Sequence, residues 1–219
     1  LNEILLVVGA YLIGSISPSV VLGRAFKGID LREHGSGNAG TTNAFRVLGY
    51  KLGAAVLVAD MLKGFLPVLA ARMLTSPSVT VAVALAAIIG HNFSIFLRGK
   101  GGKGVATGAG TLIAMMPLIF LLLLGAFFVV LLSTSFVSLA SLTAAVLLIP
   151  AVFVTGQPTA YIVFSLLGSG FVLYAHRGNI ERLLRGQESR SGLSWVSVGR
   201  YIRRQNEDAN RDPGDETRV

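Results

Sequence analysis

Six apolar runs, most of them near the roughly 20 residues a helix needs to cross hydrocarbon, dominate this chain: 4–26, 52–74, 79–97, 105–132, 136–155 and 159–175. A segment in lipid has no water to satisfy its backbone N–H and C=O groups, so each must satisfy them along its own helix. A mean hydropathy of +0.68 with 53% hydrophobic residues agrees, and excludes a soluble domain. The expectation is therefore an all-α polytopic membrane bundle. The first run lacks a basic flank and a small-residue cleavage site in the usual place, so it reads as a spanning helix and not as a signal peptide.

The nineteen basic residues constrain the topology further. All but Lys63 and Arg72 fall into three regions: 24–51, the glycine-rich stretch 98–104, and the chain after Ala175. The positive-inside rule puts those regions on one side. Six crossings give the wrong parity for the tail, and the run 105–132 is too long for one span. Pro117 resolves both by ending a short helix at Met116 and starting another. Seven crossings follow, with the N-terminus outside, the C-terminus cytoplasmic and only Arg72 outside; five is the fallback. Residues 1–188 form one transmembrane domain. Residues 189–219 turn polar and read as a flexible cytoplasmic tail, with a short basic surface helix over 197–206.

Three polar clusters interrupt this apolar chain. In Arg98-Gly-Lys-Gly-Gly-Lys-Gly-Val-Ala-Thr107, glycines let backbone amides converge beside Lys100 and Lys103, and a helix start at Val105 adds its dipole. Two readings stand on this stretch alone, a phosphate cradle and a loop whose lysines only fix topology. The second cluster, Gly35 to Arg46, packs Ser36, Asn38, Gly40, Thr41, Thr42 and Asn43 ahead of an arginine able to grip phosphate with two parallel bonds. A topology loop needs the charge but not so many small hydroxyl and amide groups. The third, 176–188, places Asn179 and Arg182 on one helical face with His176. Asp60 and Lys63 form a pair three residues apart, with a structural role favoured for Asp60 and a substrate-facing role for Lys63. His91 closes the third run just before the glycine stretch.

Other chemistries are excluded by residue type. The chain has no cysteine, so neither a thiol nucleophile nor a cysteine metal site exists. Lys103 is followed by Gly104, not Ser or Thr, and no strand precedes it, so this is not a nucleotide-binding P-loop. No zincin or nucleophile-elbow motif occurs. The net charge of +8 flanks membrane segments, which points to topology and anionic substrates or lipids and away from nucleic acid.

Together, Gly-Ser-Gly-Asn-Ala-Gly-Thr-Thr-Asn-Ala-x-Arg (35–46), Gly-His-Asn-Phe-Ser-Ile-Phe-Leu-Arg-Gly-Lys-Gly-Gly-Lys-Gly-Val-Ala-Thr (90–107) and His-Arg-x-Asn-Ile-x-Arg-Leu-Leu-x-Gly-x-Glu (176–188) resemble one family. It is the bacterial membrane glycerol-3-phosphate acyltransferases that use acyl phosphate, the PlsY type. Lys27-Gly-x-Asp-Leu-Arg32 and Asp60-x-x-Lys63-Gly64 add to the likeness, which runs from about Ile4 to Glu188. Ser94 departs from a proline common in the family.

The resemblance implies transfer of a fatty acyl group from acyl phosphate to the sn-1 hydroxyl of glycerol 3-phosphate, giving lysophosphatidic acid and phosphate at the inner membrane. It implies Ser36, Arg46, Lys103, His176 and Asn179 as the residues positioning the phosphates and the hydroxyl. Asn38, Gly40, Thr41, Thr42, Asn43, Lys63, His91, Gly101, Gly102, Gly104, Thr107 and Glu188 complete the binding set. The base stays open between His91, His176 and the substrate's own phosphate. No metal or cofactor is called for, the partners are the two substrates and membrane lipid, and a monomer is expected. The competing class is a small transporter of organic phosphates, with the same cradles and a broken helix. The nearly featureless outer loops 76–78 and 156–158 weigh against it.

Overall fold

The computed structural model describes residues 2–191, and within them every regular element is helical. The expected helix over 197–206 lies outside the described residues. The first run is two helices, α1 (Asn2–Ser15) and α2 (Pro18–Lys27), which with the break between them make a stretch of 26 residues. The expected single helix breaks at Ile16–Ser17 because Pro18 has no N–H to continue the ladder and instead opens α2 as its first residue. That break orphans carbonyls, and distant side chains satisfy them: Ser94 Oγ donates to the Ser15 carbonyl at 2.6 Å and Lys63 Nζ to the Ile16 carbonyl at 2.7 Å. A proline at position 94 could not make the first of these bonds.

A short α3 (Thr41–Leu48) leads to α4 (Tyr50–Leu74) and α5 (Pro77–Asn92). The run 105–132 divides as expected into α6 (Val105–Met115) and α7 (Pro117–Thr134), with Pro117 first in α7. Then come α8 (Val137–Val154), α9 (Thr159–Ala175) and α10 (Arg177–Leu184), the last bent 59° from α9. Five helical stretches are long and apolar enough to cross a membrane, six if α9 and α10 count as one; α6, at 11 residues, is not. At 1.5 Å per residue α6 reaches only about 16 Å. Arg72 of α4 donates to the Ala114 carbonyl at 2.6 Å, placing a cation on the negative end of α6.

Two helix pairs approach closely enough to need glycine. A Cβ on Gly14 or Gly90 would sit 2.2 Å from a carbonyl oxygen of the facing helix, locking α1 against α5. Gly64 and Gly110 do the same for α4 and α6, at 2.2 and 2.0 Å. Small residues at such contacts let backbones pack without a hydrophobic drive, as expected in lipid. The main core joins α1, α4, α5, α6, α7, α8 and α9 around Val68, Val83, Ala87 and Val152, while Leu31, Ala44, Leu48 and Val56 seat α3 on α4. The three polar clusters, at the start of α3, the start of α6 and the end of α9, meet: Gly40 approaches Gly102 and Lys103 bonds Asn179.

Candidate active site

The 35–46 loop is shaped by one buried amide. Asn43 Oδ1 accepts from the Ser36 N–H at 2.9 Å, and its Nδ2 donates toward the carbonyls of Leu31, His34 and Asn38 at 2.9–3.2 Å. Asn43 therefore has no donor left for a ligand, and it braces the loop where the sequence suggested a binding group. Ahead of the loop, Asp30 accepts from the Arg32 backbone and from the Arg32 and Arg24 guanidiniums, which gives the Asp-Leu-Arg part of that motif a structural purpose. Chiefly the Arg32 guanidinium holds the Asp30 carboxyl well below the usual carboxylate range. With the loop so fixed, Ser36, Thr42 and Arg46 are exposed, and neither the Ser36 hydroxyl nor the Arg46 guanidinium bonds to any described residue. Asn38 and Gly40 are half-buried, and a Cβ on Gly40 would lie 4.0 Å from Gly102, so this loop touches the glycine loop.

The glycine loop differs from the expected cradle. The amides of Gly99, Lys100, Gly101 and Gly102 donate to the carbonyls of Ser94, Leu97, Asn92 and His91, which end the preceding helix and turn. Those amides hold the loop to α5 and are not free for an anion. Gly101 and Gly102 are needed for another reason. A Cβ on Gly101 would sit 1.9 Å from the His91 carbonyl oxygen, and one on Gly102 2.0 Å from His91 Nε2. The unsatisfied amides are those of 103–107, for which no acceptor exists among the described residues; Gly104 (φ 78°) turns the chain into α6 there. The free N–H groups thus lie a few residues on, at the positive end of α6.

Lys103 points across to the third cluster, where its Nζ donates to Asn179 Oδ1. Asn179 donates in turn to Glu188 Oε1 at 2.6 Å, which also accepts from Ser138 of α8 at 2.9 Å, while Arg182 Nε reaches Glu188 Oε2 at 2.8 Å. Glu188 ties α8 and α10 to the chain that follows. Burial pushes its carboxyl up, but Asn179, Ser138 and Arg182 more than offset this and hold it below the ordinary value. Burial, with Arg182, holds the Lys103 ammonium pKa below 10.5, against the pull of Glu188. His176 is buried, with Nδ1 2.9 Å from the Val172 carbonyl. That bond requires the proton on Nδ1 in the neutral ring and leaves the Nε2 lone pair to accept.

Three expected binding residues face inward. Lys63 is 7% exposed and pairs with Asp60 at 2.8 Å besides bonding Ile16, so its ammonium is engaged inside the protein where a substrate-facing role was expected. His91 lies beneath Gly102 with Nδ1 3.4 Å from Asp60. Thr107 is fully buried, its carbonyl packed on Gly64. Thr41 opens α3 and donates to Asp60 at 3.2 Å. Ser138 gave no signal in the sequence, being one serine in an apolar run.

From Gly104 an apolar cavity of about 130 Å³ runs along α6 to Leu112, lined also by Phe120, Phe127, Leu148 and Phe164. Eight residues of helix make it roughly 12 Å deep. Its two deeper serines do not make it polar, because Ser141 and Ser169 donate to the carbonyls of Val137 and Ala145. A cationic, amide-rich mouth over an apolar slot suits an amphiphile with an anionic head.

Comparison with known proteins follows this geometry. Residues 4–186 match the family model described as glycerol-3-phosphate acyltransferase. The glycerol-3-phosphate acyltransferase of Rubrobacter xylanophilus is 45% identical over 191 residues, 87% of this chain and 96% of that protein. That of Bacillus subtilis is 42% identical over 192 residues, 88% and 98% of the two chains. Among solved structures, the glycerol 3-phosphate form of PlsY (YgiH), an integral membrane glycerol 3-phosphate acyltransferase, superposes with a TM-score of 0.84. It is 40% identical and covers 86% of this chain and 95% of that one. The lysophosphatidic acid form gives 0.82 at 39% identity over the same shares. The chain belongs to the glycerol-3-phosphate acyltransferase family, as an integral membrane member.

Proposed function

We propose that this protein transfers a fatty acyl group from acyl phosphate to the sn-1 hydroxyl of glycerol 3-phosphate, releasing lysophosphatidic acid and inorganic phosphate. The supporting observation is the junction at Gly104, where the free amides of α6 open on the apolar slot and the preceding Lys103 turns its ammonium to Asn179. An acyl phosphate placed there has its anionic head on the amides and its chain along α6. The glycerol hydroxyl attacks the carbonyl carbon, the bond from that carbon to the phosphate oxygen breaks, and the phosphate leaves with the electron pair. Lys103 and the α6 dipole stabilise the departing charge. Arg46 and Ser36, exposed on the touching loop, hold the second phosphate, and Asn38, Gly40, Thr41 and Thr42 frame it. Asn179 and His176 orient the attacking hydroxyl. The hydroxyl proton goes to a substrate phosphate oxygen or to His176 Nε2, the ring atom without a partner among the described residues. Because phosphate is a capable leaving group, orientation and charge stabilisation supply the rate.

The site lies on the cytoplasmic face of the bacterial inner membrane, where seven crossings put it with the N-terminus outside and α6 as the short crossing. A monomer holds a complete site, and the product opens phospholipid synthesis. Purified protein in a lipidic medium, given palmitoyl phosphate with and without glycerol 3-phosphate, tests the reading through phosphate release. Release that needs both compounds, and that fails when acyl-CoA or acyl carrier protein replaces the donor, is expected. No release from folded protein with any donor would overturn it in favour of transport.

A further inference from the structure

Asp60 is a charge buried to 1% exposure beneath the site, and three walls of the site converge on it. Thr41, at the end of the 35–40 loop, donates to its Oδ2 at 3.2 Å. Lys63 faces Oδ1 at 2.8 Å and holds the α1–α2 break through Ile16. His91 faces Oδ1 at 3.4 Å with one ring nitrogen, and its other nitrogen sits where a Cβ on Gly102 would go. No contact to a ligand explains the Asp60 charge, because the carboxylate is buried and its two oxygens face these three side chains. Stability does not explain it either. Replacing a buried ion pair with apolar side chains of like volume is often neutral or stabilising. What a carboxylate adds over an apolar residue is direction: two oxygens fix the two loops relative to one another.

We propose that Asp60 is a positioning residue that holds the 35–46 loop and the glycine loop in one register, so that acceptor hydroxyl and donor carbonyl meet. It rests on the acyl-transfer reading above. With the register loosened, each loop still holds its own substrate, and water reaches the donor carbonyl in place of the hydroxyl. The water oxygen then bonds to that carbon, the bond to phosphate breaks, and fatty acid and phosphate result.

The test compares acyl transfer with hydrolysis of palmitoyl phosphate in wild type, Asp60→Leu/Lys63→Met and Asp60→Asn/Lys63→Met. Folding is checked by size exclusion and thermal unfolding. The leucine variant should lower the transfer-to-hydrolysis ratio on the order of ten-fold, with the donor KM within about three-fold. The asparagine variant keeps one acceptor oxygen and turns an amide N–H to the other partner, which the Thr41 hydroxyl or a neutral His91 ring nitrogen can accept, and it should recover most of the ratio. A ratio left unchanged in folded variants overturns the proposal, as does an equal fall of the ratio in both. Should the double variants not fold, His91→Phe decides. It keeps a ring under Gly102 but removes the nitrogen facing Asp60, and an unchanged ratio there also overturns the proposal. Wild-type protein that transfers no acyl group overturns the functional reading and takes this proposal with it.

Discussion

Gly101→Ala separates two reasons for a glycine in the glycine loop. Gly101 does not occupy the left-handed region, so alanine there is compatible with the backbone and leaves the amide where it is. If glycine served only to bare amides to an anion, the variant would behave almost as wild type. The structure gives a different result. The new Cβ would lie 1.9 Å from the His91 carbonyl oxygen and 2.7 Å from that of Asn92, and ordinary contact begins near 3.4 Å. Both obstacles are backbone of α5, which is clamped on α1 through Gly14 and Gly90. The loop has to move by about 1.5 Å, losing the hydrogen bonds from Gly101 and Gly102 to α5 at about 1 kcal/mol each. Lys103 and the start of α6 move with it, and a 1 Å misplacement is enough for about 100-fold in rate. We expect kcat/KM, followed by phosphate release, to fall at least about 100-fold while the helical bundle stays folded. Gly99→Ala is the control. Its φ of 78° makes alanine strained by about 1–2 kcal/mol, but nothing lies within 4 Å of the new Cβ. Its loss should stay under about ten-fold. Near-normal rates from Gly101→Ala, or equal losses at 99 and 101, would refute the packing argument.

Other perturbations follow from single contacts. Asn43→Ala removes the brace of the 35–46 loop and should destabilise by about 2–4 kcal/mol in thermal unfolding, with activity lost alongside. Arg72→Met leaves the end of α6 uncapped on the side away from the site, and should lower the melting temperature by several degrees while sparing activity. Lys103→Met should fold and lose about 100- to 1,000-fold in kcat/KM, the effect of removing one donor to a developing charge. The pH dependence of wild type has opposite signs for rate and stability. Between the lowered pKa of Lys103 and the ordinary 10.5, the unfolded chain binds more protons than the folded one, so this group makes stability rise with pH. In the same window kcat/KM falls as the ammonium is lost, and Lys103→Met should abolish that alkaline limb.

Helices were legible where composition and proline speak locally. The run 159–175 is α9 to the residue, and Pro117 divides α6 from α7 as its missing N–H requires. The α1–α2 break is marked by Pro18 within Gly14-Ser-Ile-Ser-Pro-Ser19, but small polar residues and proline also occur inside spanning helices, so composition alone does not separate the two. In the candidate site, residue types draw attention to three clusters that the fold brings together but do not say which way each group turns. Lys63 and Asn43 look like ligand-facing groups because their partners, the carbonyls of Ile16, Leu31 and His34, belong to backbone that no composition reveals. The glycines at 101 and 102 suggested free amides for the same reason: the acceptors that occupy them lie on a helix end nine or more residues earlier. Ser138 joins the site only through Glu188, fifty residues away, a contact set by the packing of α8.

Acyl phosphate offers two electrophiles, its carbonyl carbon and its phosphorus, and the proposed geometry commits the glycerol hydroxyl to the carbon. Glycerol 3-phosphate carrying heavy oxygen at the sn-1 hydroxyl, turned over with palmitoyl phosphate and analysed by mass spectrometry, reports the choice directly. Attack at carbon puts all of the label in the ester of lysophosphatidic acid and none in the released phosphate, which is the expected result. Label in a new phosphate ester, with free palmitate as the other product, would mean attack at phosphorus and would contradict an acyl phosphate seated with its head on α6 and its carbonyl turned toward the acceptor.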